Sequence, residues 1–247
     1  MLKLIKYELR KQWFSKLFIL IVMGILELTF LFGLLREDTE ALGISMGIMV
    51  LVAFTAIMFV SFECIMTYSK DLKTKQSYML FLTPNSTYKI VGAKVITSVA
   101  QIGFTAVFMA SIIFINMTIV VLRYQNIEEM IKTIQITMKN VMGLDVDYGL
   151  ILIGLISFLL EWISKVIMGI LAITLSATFL SNTKGKGIVS LIIFFTLNYM
   201  VGRIGKLFML ESMPLFDLFM IDAIFMAFVI AAFYLATAWM LDKKVSV

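Results

Sequence analysis

Histidine is absent from the 247 residues, which removes the side chain most used as a general base and as a metal ligand. Cysteine occurs once, at Cys64, so the chain can form neither an intramolecular disulfide nor a thiolate metal cluster. Proline occurs twice, at Pro84 and Pro214. Charge is scarce too: 15% of residues are Asp, Glu, Lys or Arg, against about 25% in an ordinary soluble domain. No G-x-x-x-x-G-K-[ST] occurs, and "TKGKGIVS" and "VGRIGKLF" have glycines and lysines at the wrong spacing for a phosphate cradle. The sequence therefore offers no cofactor site, no metal site and no nucleotide site of its own.

What fills the chain instead is apolar. The hydrophobic share is 61% and the mean hydropathy +1.01, and several runs exceed the roughly 18 apolar residues that mark a membrane span. No single soluble core could hide so much apolar surface. The expected fold is an all-α membrane protein, one domain over 1–247, with six transmembrane helices at 17–35, 44–66, 92–122, 149–180, 187–201 and 217–241. The third and fourth exceed the ~30 Å hydrocarbon layer at about 1.5 Å per residue, so they tilt or project beyond it.

Before the first span, Leu2, Ile5, Leu9 and Trp13 recur at helical spacing, with Lys3, Lys6 and Arg10 on the other side. Residues 1–16 thus read as an amphipathic helix in the interface, its lysines toward anionic headgroups. A signal peptide would have a shorter charged region and a small-residue cleavage site after the apolar run. Orientation follows from the cations. With the N-terminus inside, Lys3, Lys6, Arg10, Lys11, Lys16, Lys70, Lys73, Lys75, Lys89, Lys94, Lys184, Lys186, Lys243 and Lys244 lie on the inner side. Only Arg36, Arg123, Lys132, Lys139, Arg203 and Lys206 lie outside, and Lys165 falls within the membrane. That distribution places both termini in the cytoplasm, and it assigns the net charge of +5 to orientation rather than to nucleic acid. The outer loop 123–148 carries a helical stripe of Ile127, Met130, Ile131, Ile134, Met138 and Val141 that lies on, or caps, the outer mouth. Gly202, Gly205 and Pro214 give 202–216 two readings: a helical hairpin dipping back from the outer face, or an ordinary apolar loop.

The stretch "KDLKTKQSYMLFLTPNSTYK" at 70–89 interrupts the apolar pattern on the inner side. Asp71 through Leu82 can form about three helical turns, within a helix placed at 70–83. Thr83-Pro84 stops it, since the residue before proline avoids the α region, and Asn85 or Ser86 can cap the next span. Together with the amphipathic N-terminus, six spans with both ends inside, and the leucine–threonine–proline turn with a lysine beyond it (Leu82, Thr83, Pro84, Lys94), this resembles the permease subunit of type-2 ABC exporters. The likeness extends to bacterial peptide exporters, the phenol-soluble modulin exporters among them. In that family the first helix is an elbow and the short helix after the second span is a coupling helix seated on a separate ATPase. The resemblance implies that Asp71, Lys73, Lys75, Gln76, Ser77, Tyr78, Leu80, Phe81 and Pro84 face that subunit. A glutamate–glycine pair often present there is replaced here by "KTKQS". The resemblance further implies two copies of an ATPase that bind ATP and Mg, a second permease copy, and a bacterial-type plasma membrane.

Charges within the spans cost about 2.5–3.5 kcal/mol each at the helix centre. Glu27 lies in the first span, and Glu161 and Lys165 lie four residues apart in the fourth, on one helix face. They are either a self-neutralising staple or part of a polar seam that cargo crosses, and Asn198 in the fifth span has the same two readings. Glu63 and Asp222 lie near span ends. Gly43-x-x-x-Gly47 and the repeat Ala223, Ala227, Ala231 read as close helix contacts. The favoured function is an ATP-driven exporter of amphipathic or hydrophobic cargo, peptides foremost, with drugs and lipids as alternatives. A carrier coupled to ions through Glu27 and Lys165 lacks the internal repeats of that class. A membrane enzyme would need Glu27 or Glu161 as base with Ser157 or Ser164 as nucleophile, and no spacing favours it.

Overall fold

The computed structural model describes residues 2–73, 86–124, 148–179, 185–209 and 213–243. These residues are almost wholly helical: α1 Leu2–Lys11, α2 Trp13–Arg36, α3 Thr39–Lys73, α4 Thr87–Tyr124, α5 Tyr148–Phe179, α6 Lys186–Phe208 and α7 Leu215–Lys243. Helices α2 to α7 are each long and apolar enough to cross a membrane, so this is a multi-pass membrane protein. In lipid every backbone amide must find its partner within the chain, and a helix does that without help from a neighbour.

The helices outrun the apolar cores on which they were located. The second span, expected over 44–66, is the 35-residue α3, and its last turn includes Asp71. The helix expected over 70–83 therefore shares its first residues with α3; 74–83 lie outside the described residues, as do Pro84, Asn85 and most of the 123–148 loop. The fifth span does not end at 201: α6 runs on through Gly202 and Gly205 to Phe208. Gly205 serves contact rather than a break, because a Cβ there would lie 3.2 Å from the Phe225 ring on α7. Of the hairpin expected at 202–216, Met213 and Pro214 form a bend before α7, and 210–212 lie outside the described residues.

The chain divides into two compact units. One comprises Met1–Gln12, Phe59–Ile102 and Ile153–Val247. Its apolar packing centres on Met168, Val201 and Val229, with Phe194, Leu197, Phe225, Met226 and Phe233 around them. A second cluster joins Val91 on α4 to Ala238 and Leu241 on α7. There the Tyr234 hydroxyl donates to the Tyr88 carbonyl at 3.0 Å, and Thr87 donates to Asp242 at 3.0 Å. Gly169 lets α5 lie against α3, since a Cβ at that position would come within 2.6 Å of Ile65.

The other unit comprises Trp13–Met58 and Gly103–Leu152. Met23, Phe30, Met49 and Met109 are buried in it. At the α2–α3 turn, the Asp38 amide donates to the Gly33 carbonyl at 3.1 Å and Glu37 takes the left-handed conformation, φ 56°. That is a helix-ending loop in which glutamate stands where glycine is usual. Gly43 and Gly47 meet nothing within 4 Å of where their Cβ atoms would be. Of the α7 repeat, Ala223 is buried whereas Ala227 and Ala231 are exposed. Neither pattern is a packed seam among the described residues.

Candidate functional site

Three helices of the first unit turn polar stripes toward one point. The stripes are Glu8 and Lys11 on α1 with Gln12 just past its end, Cys64, Thr67, Tyr68 and Asp71 on α3, and Lys94, Thr97, Ser98 and Gln101 on α4. Spacings of three and four residues set each group on one helix face. On α3 and α4, whose outer surfaces are apolar, such a stripe must face inward, because a polar group in hydrocarbon without a partner costs several kcal/mol. Glu8, Gln12, Asp71, Lys94 and Gln101 are accordingly buried.

Lys94 is the centre. Its ammonium donates to Glu8 Oε1 at 2.9 Å and to Asp71 Oδ2. The other Asp71 oxygen accepts from Lys11. Two acids and two bases thus balance, and only Lys11 reaches appreciably toward the surface, its side chain 26% exposed against 7% for Lys94. Burial works against the Lys11 charge, but the hydrogen bond to Asp71 and the charges of Glu8 and Asp71 outweigh it, holding that ammonium above the usual lysine range. Lys94 Nζ also lies 5.7 Å from the Tyr68 ring centre, and the Tyr68 hydroxyl is 2.6 Å from Thr174 Oγ1 on α5. Gln12 Nε2 donates to Thr67 at 3.1 Å. A cavity of about 10 Å³, room for one water, lies among Glu8, Gln12, Cys64, Tyr68 and Lys94. Gln101 Nε2, buried close by, finds no partner among the described residues.

This space is too small for a substrate, and its groups neutralise one another. Among the described residues no cluster of three or more Asp, Glu or Cys side chains could hold a metal. What the arrangement does is link helices. Asp71 lies just before segment 74–85 and Lys94 shortly after it, so their ion pair ties together the helices on which that segment hangs, and Glu8 and Lys11 add α1 to the same joint.

The residues expected to carry function fall in different places. Asp71 belongs to this network and is 8% exposed. Lys73 closes α3, and Lys75, Gln76, Ser77, Tyr78, Leu80, Phe81 and Pro84 lie outside the described residues. Glu161 and Lys165 pair along α5 at 2.6 Å, with Lys165 Nζ also 4.6 Å from the Trp162 ring centre. Asp222 accepts a hydrogen bond from Ser157. Asn198 is half-buried on α6. In the second unit Glu27 accepts from Asn116 Nδ2 on α4 at 2.9 Å, and the same nitrogen lies 3.4 Å from Met49 Sδ.

Glu8, Lys11 and Asn116 are residues to which sequence reasoning gave no site role, and Lys94 entered it only as the lysine beyond the leucine–threonine–proline turn. The signal was present: Glu8 is the one acid of α1, set one helical turn from Gln12, and the stripes of α3 and α4 share the same spacing. Comparison with protein families, with characterised proteins and with solved structures finds no match for this chain.

Proposed function

We propose that this chain is the membrane permease subunit of an ATP-driven exporter of the type-2 ABC kind. A separate ATPase, present in two copies and binding ATP and Mg, seats on the coupling helix expected at 70–83. A second permease copy completes the pathway, both termini lie in the cytoplasm, and the cargo is hydrophobic or amphipathic, peptides foremost. The supporting observation is the Glu8–Lys94–Asp71–Lys11 network. A push on 70–83 enters α3 at its last turn and α4 at its first turns. If those ends moved independently, much of the displacement would go into spreading them. Joined through a buried ion pair, with α1 fastened to both, they move as one body. A helix of about 35 residues carries that displacement across the membrane, because its backbone hydrogen bonds resist compression.

The test is co-expression with a candidate ATPase encoded beside this chain. The wild-type protein should co-purify with it and raise its ATP turnover in reconstituted vesicles, with further stimulation by amphipathic peptides. Tyr78→Ala/Phe81→Ala should abolish co-purification while the permease stays monodisperse. A complex that survives this double substitution unchanged overturns the placement of the contact.

A further inference from the structure

A cleft of about 740 Å³ opens between α2 and α3, entirely within the second unit. That volume lies in the range of sites for small organic molecules, about 300–1,000 Å³. Ile25, Leu28, Phe32, Ile44 and Ile48 line it, and all are exposed. Its two hydroxyls turn back on their own helices: Thr29 donates to the Leu26 carbonyl at 2.7 Å and Ser45 to the Leu42 carbonyl at 2.9 Å. The wall is therefore apolar along its length. The charges lie at one end, where Arg36 finishes α2 and Asp38 precedes α3.

Those two charges are disposed for a ligand. The Arg36 guanidinium stands 4.3 Å from the Phe32 ring centre and has no carboxylate partner among the described residues. Glu37, the acid between them, is drawn away to Arg123 at 3.0 Å, and Glu40 does not line the cleft. Asp38 Oδ1 accepts from the Ala41 amide at 3.1 Å as the cap of α3. A carboxylate has about four acceptor positions, so capping leaves room for a second donor. Because α2 is long enough to span the membrane and ends at Arg36, the charged mouth sits at headgroup level.

From this geometry we propose that the α2–α3 cleft binds one phospholipid whose headgroup carries both a phosphate and a primary amine. The phosphate meets Arg36, the ammonium meets Asp38, and an acyl chain follows Phe32, Ile44 and Ile48. A phosphate alone would satisfy Arg36 but leave Asp38 facing another anion. Nothing in this assignment depends on an ATPase partner.

The experiment is native mass spectrometry of the full chain in detergent, titrated with phosphatidylethanolamine and, in parallel, phosphatidylglycerol. The wild type should retain one phosphatidylethanolamine and bind it more tightly than phosphatidylglycerol. Arg36→Gln should weaken binding of both lipids about tenfold or more. Asp38→Asn keeps the cap acceptor and should erase the preference for phosphatidylethanolamine. Ile44→Trp, which fills the cleft without touching the mouth, should remove the bound lipid while leaving thermal unfolding unchanged. Equal lipid binding by wild type, Arg36→Gln and Ile44→Trp overturns the site. So does efficient disulfide cross-linking between chains in membranes through Ile48→Cys on a Cys64→Ser background, which would make the cleft an interface between copies.

Discussion

Lys94 holds two acids that are largely shielded from water. With its side chain 7% exposed and both carboxylates directly bonded, replacing it by methionine would keep much of the bulk and remove only the charge. Glu8 would then be left without its cation, whereas Asp71 would retain Lys11. Removing one member of a buried pair costs about 3–5 kcal/mol, because the remaining charge stays desolvated. Lys94→Met should therefore lower the thermal midpoint sharply in detergent. Adding Glu8→Gln removes the stranded acid, and the double variant should regain about 1–3 kcal/mol of that loss. A double variant as unstable as the sum of its singles would mean the two residues do not interact. Reading residues one at a time hides this bond. Lys94 reads in the sequence as an inner-side cation and as the lysine beyond the leucine–threonine–proline turn, and Glu8 as an acid among the lysines of an amphipathic helix. Only their three-dimensional meeting distinguishes them from headgroup-facing charges.

Helices were the most legible level, for a physical reason. Hydrocarbon imposes a length and an apolar composition on any span, and those two constraints recovered α2 to α7 in order. Their ends were less legible, because α3, α4 and α6 continue as helix beyond the apolar stretch, where hydropathy carries no information. Glycines were the other obscurity. Gly202 and Gly205 look alike in sequence as breakers, yet both sit within α6, and only Gly205 has a ring against it. Gly169 lies in a run of apolar residues, and a Cβ there would come within 2.6 Å of Ile65, the closest such approach among the described glycines. Gly169→Ala should destabilise the protein by about 1–3 kcal/mol, the range for forcing extra volume into a packed contact. Gly202→Ala, with nothing within 4 Å, should be neutral or stabilising by up to ~1 kcal/mol, since alanine favours the helix. Thermal unfolding of the two variants side by side checks this, and a Gly169→Ala protein as stable as Gly202→Ala would show that α5 and α3 do not pack so closely.

For the whole molecule, parity links the buried network to topology. If each of α2 to α7 crosses the membrane once, the start of α2, the end of α3 and the start of α4 must all lie on one side. Glu8, Asp71 and Lys94 stand at those places, and their direct bonds require the same coincidence. The two arguments are independent, one from counting spans and the other from distances. Six crossings would also put both termini on that side, and the positive-inside rule applied to the lysines predicts that it is the cytoplasm. Fusing a fluorescent protein that folds only in the cytoplasm to Val247 should give fluorescent cells. Alkaline phosphatase, active only outside, should work when inserted at Lys132 and fail when fused at the C-terminus. The reverse pattern would put segment 74–85 on the exterior, where no cytoplasmic ATPase could reach it, and the exporter reading would fall. The ion network would survive that result, because its bonds depend on helix order and not on which face of the membrane they occupy.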